Sequence, residues 1–384
     1  MSQRIKLGMV GGGQGAFIGE VHRIASRIDD RFELVAGAFS SNPDKSLASG
    51  KELGLSEDRN YSNFEEMAEK EFAREDKIDA VAIVTPNHMH HPISMSFMNR
   101  GFNVICDKPL AMNIKECEEL VRTQKEKDVI FALTHNYTGY PMIRQARAMC
   151  EQGDLGNIRV IQAEYAQDWL TLDLENQPDS GGNKQASWRT DPLQSGNGGC
   201  IGDIGTHAYN LLRYITQLQP HQISAELTSF VPGRRLDDNA QISLRLIGGA
   251  KATIWSSQIA PGNENHLQIR VYGEKAGLEW CQEDPNYLYF TKYGSPKQKI
   301  TRGGAGAILA ANEISRVPPG HPEGYLEGFA NIYSDVANAL IDKKNNEFDI
   351  NKYHYPTVED GLEGIRFIER SIASSNSDSS WINF

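Results

Sequence analysis

The chain has 384 residues, 39% of them hydrophobic and 23% charged, the composition of a folded globular protein long enough for two domain cores. Its formal net charge of -11 argues against nucleic acid and anionic membranes, which need clustered cations, and favours a small-molecule ligand. Five cysteines, Cys106, Cys117, Cys150, Cys200 and Cys281, are scattered and never closely paired, which fits a reducing cytoplasm and neither a disulfide framework nor a zinc site.

The N-terminus moves straight into a strand pattern, with no apolar leader and no run of membrane-span length, so a cytoplasmic protein is expected. Strand patterns cover IKLGMVG (Ile5 to Gly11), FELVAGAFS (Phe32 to Ser40), DAVAIVTP (Asp79 to Pro86), NVICDKP from Asn103, and VIFALTHN (Val129 to Asn136). Between them EVHRIASRI, HHPISMSFMNRG and IKECEELVRTQKEK carry helical apolar spacing. The alternation predicts right-handed crossovers and a doubly wound parallel sheet of Rossmann type over residues 1–135.

The first strand is followed by VGGGQGAFIG, in which Gly11-Gly12-Gly13-Gln14-Gly15-Ala16 satisfies G-x-G-x-x-A. One glycine serves the tight turn, another lets backbone N–H groups reach a pyrophosphate, and a small residue lets helix meet strand. After the first strand of a β/α series, that pattern predicts a dinucleotide site. The second strand ends at Ser40 and Ser41 where NAD-type sites carry an acid, so nothing there repels a 2′-phosphate, and no arginine attracts one. NAD and NADP both stay open.

TPNHMHH (Thr85 to His91) invites a metal reading through His88, His90 and His91, but no acid or cysteine accompanies them, and no metal is expected. NVICDKP ends a buried strand in Asp107-Lys108-Pro109, and Lys108 then sits at the carboxyl edge where such sheets bind ligands. THNYTGYP follows the fifth strand and puts Asn136 and Tyr137 near the domain junction as candidate contacts to nicotinamide or substrate.

From about residue 155 the pattern alternates apolar and polar residues between turns, predicting an α+β domain over 136–384 built on an open, mainly antiparallel sheet. Arg189, after Trp188, suits hydroxyl recognition or a surface ion pair about equally. SGNGGCIGDIGTHAYNLLRYI (Ser195 to Ile215) turns from glycine-rich to helical at Asp203, and Asp203 and His207, four apart, share one helix face. The plainer account makes Asp203 an N-cap, but so many glycines are costly unless another backbone or a ligand comes close. VPGRRLDDNA reads as a solvated hairpin end or subunit contact, and PPGHPEG holds His321 in a rigid turn as a further candidate substrate ligand. EGYLEGFANIYSDVANALID and VEDGLEGIRFIERSIASS have helical periodicity, the second (357–374) expected to pack back onto domain one, and the terminal WINF is apolar enough to dock.

The glycine loop, TPNHMHH, Asp107-Lys108-Pro109 in place of Glu-Lys-Pro, and GGCIGDIGTH together resemble the glucose-fructose oxidoreductase and inositol dehydrogenase family over nearly the whole chain. The resemblance implies Lys108, Asp203 and His207 as the catalytic set. It implies a cofactor site of Gly11, Gly13, Gln14, Gly15, Ala16, Ser40, Ser41, Thr85, Pro86, Asn87, His90, Asp107 and Lys108, and slightly favours NAD over NADP. It also implies a cyclitol or sugar whose ring secondary hydroxyl is oxidised. An imidazole titrating near neutrality suits removal of the hydroxyl proton, which makes His207 the base, Asp203 its orienting or substrate-holding partner, and Lys108 the donor to the reacting oxygen. The alternatives are an enzyme of the same fold that cleaves glycosides with transient use of bound NAD, and a nonenzymatic dinucleotide-binding protein. An open sheet exposing an apolar face predicts a homo-oligomer, dimer or tetramer.

Overall fold

A computed structural model describes residues 4–176 and 184–384. Two compact units emerge: residues up to Gly139 with Tyr325–Leu362, and Tyr140–Gly324 with Glu363–Phe384.

In the first unit, β1 (Ile5–Gly11), β2 (Phe32–Ala38), β3 (Ala80–Val84), β4 (Asn103–Cys106) and β5 (Phe131–Leu133) pair in parallel in the order β2-β1-β3-β4-β5. Every residue of β3 is buried, as a strand covered on both faces requires, which is why it reads as an unbroken apolar run. The chain leaves β1 towards β2 on one side and returns to β3 on the other, so β1 and β3 flank the topological switch point.

The segment Tyr325–Leu362, assigned to the second domain from the sequence, groups with the first. Its helix Tyr325–Lys344 packs on the helix Phe17–Ile28 and the start of β2 through aromatic rings: Phe329 lies edge-on to His22 at 4.7 Å, and Tyr333 meets Phe32 of β2 at 5.3 Å. Periodicity reveals that a helix has an apolar face but not which neighbour will cover it. The helix Val358–Ser375 is divided at Leu362, and in its first-unit part Gly361 lies so close to Leu110 that an added Cβ would meet the Leu110 Cβ at 2.7 Å.

Two histidines in this core carry a stability consequence. His22 Nδ1 lies 2.8 Å from the Tyr333 hydroxyl, and burial lowers its pKa to about 4. Burial, aided by the Lys108 charge, lowers His135 to about 3. An unfolded chain takes up these protons below its ordinary histidine pKa while the native state resists until its own depressed value, so stability should fall as pH drops from about 6.5 towards 4, by about 3 kcal/mol from His22 alone. Urea midpoints across that range check this; a flat profile would contradict it.

The second unit contains β6 (Ile158–Ala166), β7 (Pro220–Thr228), β8 (Asn239–Leu246), β9 (Lys251–Ser257), β10 (His266–Gly273), β11 (Ala276–Cys281), β12 (Tyr287–Lys292), β13 (Gln298–Thr301) and β14 (Ile382–Asn383), in one nine-stranded sheet. The order is β13-β12-β11-β10-β6-β9-β8-β7-β14, antiparallel except for the β6–β9 pair. β14 is the docked WINF tail: Ile382 pairs with Ile223, and Trp381 stacks under Arg245 at 4.1 Å.

Strand alternation sends Leu267, Ile269 and Val271 of β10 to the buried face, against which the helix Thr206–Thr216 lies. The opposite face is not the apolar surface expected from the sequence. It carries half-buried Glu164, Trp255, Gln268, Arg270 and Tyr289, a mixture of polar and aromatic groups, because the outward positions of these strands are polar or amphipathic.

VPGRRLDDNA also departs from expectation. Arg234 is buried, its guanidinium bonded to Glu175 at 2.7 and 3.0 Å, Asp238 at 3.2 Å, and the carbonyls of Leu170 and Leu172. Arg235 alone behaves as a solvated charge, pairing with Asp191 at the surface.

Candidate functional site

The glycine loop leaves β1 with Gly11 at φ 82°, Gly12 at 69° and Gly15 at 76°, values that exclude most side chains. Gly12 packs on Gly19 of the following helix so tightly that a Cβ on Gly19 would stand 2.4 Å from the Gly12 Cα. A Cβ on Gly15 would instead meet nothing within 4 Å, so the space beside this part of the loop is open. The helix Phe17–Ile28 starts at Ala16 with no side-chain cap, leaving first-turn N–H groups available to an anion. Arg23 donates to the Gly12 carbonyl at 2.6 Å and adds positive charge there, a contribution the sequence reading did not single out.

Gln14 turns away: its amide donates to Glu52 at 2.7 Å and its backbone N–H to Ser49. Ser40 is half-buried, with Oγ accepting from the Asn42 N–H, and Ser41 is exposed beside it.

Along the carboxyl edge, β3, β4 and β5 end beside one another at Thr85, Asp107-Lys108 and the turn Asn136–Gly139. Asp107 closes the lysine turn, its Oδ1 accepting the Lys108 N–H at 2.9 Å and the Thr134 hydroxyl at 2.9 Å. His90 is fully buried with Nδ1 2.7 Å from the Pro109 carbonyl and Nε2 2.9 Å from the Thr85 carbonyl, so it braces the turns after β3 and β4. Burial lowers its pKa, against the pull of Asp107 and the two carbonyls. His91 faces elsewhere, 3.0 Å from Glu119, so the histidines of TPNHMHH serve different partners. Pro86 is half-buried, and Asn87 and Tyr137 are buried in the same edge. Two buried polar atoms there have no partner among the described residues: Thr85 Oγ1 and Asn136 Nδ2. On either side of Lys108, they fit the amide and ribose groups of a nicotinamide nucleotide, which offer donors and acceptors to match.

In the second unit, Asp203 lies within a π-helical turn, Ile201–Gly205, that continues into the helix Thr206–Thr216 carrying His207. Its N–H already bonds to the Gly199 carbonyl, so Asp203 is not an N-cap. Its Oδ2 accepts from Gln258 Nε2 at 2.9 Å and lies 3.2 Å from Arg189 Nε, and Arg189 stacks on Trp188 at 4.3 Å. Arg189 is thus an ion-pair partner of Asp203. His207 is nearly buried, its ring 6.1 Å from that of Tyr165. π-Turns of this kind recur at functional sites.

The glycine-rich approach has a partner that spacing could not reveal. A Cβ on Gly199 would stand 2.0 Å from the Asp237 carbonyl oxygen, and the Asp237 carboxylate accepts the N–H groups of Gly199 at 2.6 Å and Ile201 at 2.8 Å. Asp237 therefore positions the turn that carries Asp203. His321, by contrast, is exposed in its turn, where its carbonyl accepts from Arg302.

Residues 5–135 match the sequence model of the oxidoreductase family with an NAD-binding Rossmann fold, and residues 143–279 match that of the GFO/IDH/MocA C-terminal domain. An uncharacterized oxidoreductase of Bacillus subtilis, YfiI, is 36% identical over all of this chain and 98% of its own. The chain belongs to the GFO/IDH/MocA family. It is an NAD(P)-dependent oxidoreductase with an NAD-binding Rossmann domain. Among solved structures, an oxidoreductase from Sinorhizobium meliloti is 51% identical, with TM-score 0.89, covering 99% of this chain and 100% of that one. An inositol dehydrogenase homologue from Azotobacter vinelandii, complexed with NADH and myo-inositol, is 33% identical, with TM-score 0.93, covering 100% of this chain and 98% of that one. This GFO/IDH/MocA member has no helix, among the described residues, long and apolar enough to cross a membrane.

Proposed function

We propose that the chain is a dehydrogenase that oxidises a ring secondary hydroxyl of a cyclitol or sugar to the ketone. The observation that carries this reading is a pair of buried polar atoms without partners among the described residues, Thr85 Oγ1 and Asn136 Nδ2, on either side of Lys108 at the carboxyl edge of the Rossmann sheet. The relative crystallised with NADH and myo-inositol supports a cyclitol, and a levoglucosan dehydrogenase of Pseudarthrobacter phenanthrenivorans, 24% identical over 73% of this chain and 74% of its own, supports a sugar.

The catalytic set is Lys108, Asp203 and His207. His207 takes the hydroxyl proton as the carbonyl forms, and Lys108 donates to the reacting oxygen and stabilises its developing charge. Asp203, anchored by Gln258 and Arg189, holds the ring of His207 or a neighbouring substrate hydroxyl. Bound nicotinamide supplies the acceptor for the hydride. The glycine loop, Thr85, Pro86, Asn87 and the Asp107-Lys108 turn hold that cofactor, and Asn136 and Tyr137 contact the nicotinamide or the substrate beside it. Arg189 acts on substrate through Asp203, and His321 remains a contact of second rank. NAD is the favoured cofactor, since the crystallised relatives hold NAD+ and NADH.

A homodimer or homotetramer is proposed through the sheet face that bears Trp255 and Tyr289, since aromatic side chains are enriched in such interfaces. A monomer by light scattering at micromolar concentration would overturn this. A cytoplasmic location is proposed because no disulfide joins the five cysteines. The function is tested by nicotinamide absorbance against a panel of inositols, hexoses and glycosides with NAD and NADP side by side. Reduction with at least one cyclitol or sugar is expected; cleavage of a glycoside without net reduction would replace the reading.

A further inference from the structure

Far from the glycine loop in sequence, three side chains of metal-binding type meet on one face of the large sheet. His266 opens β10 and Cys281 closes β11, its antiparallel neighbour, with Cys281 opposite Gln268. Side chains two apart on a strand share a face, so His266, Gln268 and Cys281 project together. Glu283 follows β11 and is held by the Asn265 N–H, which donates to its Oε1 at 3.2 Å. His266 Nδ1 then lies 3.0 Å from Glu283 Oε2 and 3.9 Å from Cys281 Sγ, and the three ligand atoms all fall within 4.8 Å of one another. A tetrahedral zinc with ordinary bond lengths sets N···O near about 3.3 Å and S···N near about 3.6 Å. Small side-chain adjustments bring this trio to that geometry.

The other ring nitrogen supplies the supporting shell. His266 Nε2 lies 3.2 Å from Glu164 Oε1 on β6 and 3.3 Å from Gln268 Oε1. An Nε2–H donated to Glu164 leaves the Nδ1 lone pair facing Cys281 and Glu283, and a carboxylate behind a histidine is the arrangement that orients a metal-bound imidazole. Arg270, 3.6 Å from Glu164, offsets that carboxylate's charge outside the ligand set. In this tautomer the thiol of Cys281 carries the one exchangeable proton among the three ligand atoms, and a divalent cation takes its place. The occupant that competes is a second proton on His266, which Glu164 and Glu283 together would favour.

We propose that His266, Cys281 and Glu283 form a zinc site that ties β10 to β11, with water as the fourth ligand. The mixed nitrogen, thiolate and carboxylate donors select a borderline-soft ion over magnesium or calcium. Binding displaces the Cys281 proton, since a coordinating thiol is deprotonated. Cysteine spacing gave no sign of it, because the ligands come from two strands that only the hairpin register aligns.

The test uses full-length protein treated with a chelator, then loaded with Zn2+ against a chromophoric competitor and, separately, with Co2+. One zinc per chain and a thiolate-to-cobalt charge-transfer band are expected. Cys281→Ser should abolish both, Glu164→Gln should weaken zinc by about tenfold or more, and Cys150→Ser should change neither. Glu283→Gln, altering an exposed side chain, carries the test if Cys281→Ser does not fold. No zinc uptake, a cobalt form without the thiolate band, or unaltered binding in Cys281→Ser or Glu283→Gln would overturn the site and leave the proposed dehydrogenase activity untouched.

Discussion

His207→Ala and Lys108→Ala should each lower turnover by at least about a hundredfold, the range of a general-base or electrostatic contribution and about 2.7 kcal/mol of barrier. The expectation rests on different structural grounds for the two residues. His207 stands on a helix entered through a π-turn whose Asp203 carboxylate is anchored by Gln258 and Arg189, so the acid beside it is held in a fixed orientation. Lys108 stands at the end of β4 in a turn closed by Asp107 and braced by His90, flanked by polar atoms without partners among the described residues. His207 is nearly buried and Lys108 half-buried, so urea midpoints measured beside turnover separate a lost chemical group from a lost fold. Near-normal turnover in either variant would remove that residue from the catalytic set.

Arg234→Ala should destabilise the second unit by about 3–5 kcal/mol, because it strands buried acceptors with no counter-charge. The Arg234 side chain is 1% exposed, Asp238 is 0% and Glu175 is 10%, so water cannot replace the lost bonds. The adjacent Arg235→Ala should cost no more than about 1 kcal/mol, since its pair with Asp191 is solvated and screened. Urea or thermal unfolding of the two variants side by side checks the contrast. Equal effects would mean that burial of the first pair contributes nothing.

Much of the fold was legible because its signals are local. The five parallel strands appear as apolar runs, and the alternation of β10 and β11 reports a sheet with one buried face. The helix Pro141–Glu151 is missing from the sequence reading, and so are two that carry an N-cap signature, Pro43–Glu52 and Phe64–Ala73: Asn42 Oδ1 accepts the Lys45 N–H and Asn63 Oδ1 accepts the Glu66 N–H. Weak apolar stripes hid the latter two. What was not legible is tertiary pairing. Nothing local says that Tyr333 will meet His22, that Asp237 will hold the N–H groups of Gly199 and Ile201, or that Gln258 will reach Asp203. The glycines before Asp203 did announce a close approach, but only the structure names the Asp237 backbone as its cause.

The reaction at issue is hydride transfer to nicotinamide from the carbon that bears a ring hydroxyl. Its most direct measurement follows the absorbance of reduced nicotinamide when purified protein is mixed with NAD and myo-inositol, or the best polyol of the panel, alongside quantitation of the ketone. The account predicts reduced cofactor and ketone in equal amounts, with Lys108→Ala and His207→Ala forming neither at a comparable rate. Product release from a glycoside with no accumulation of reduced cofactor, or no reduction with any cyclitol or sugar and either nucleotide, would contradict it.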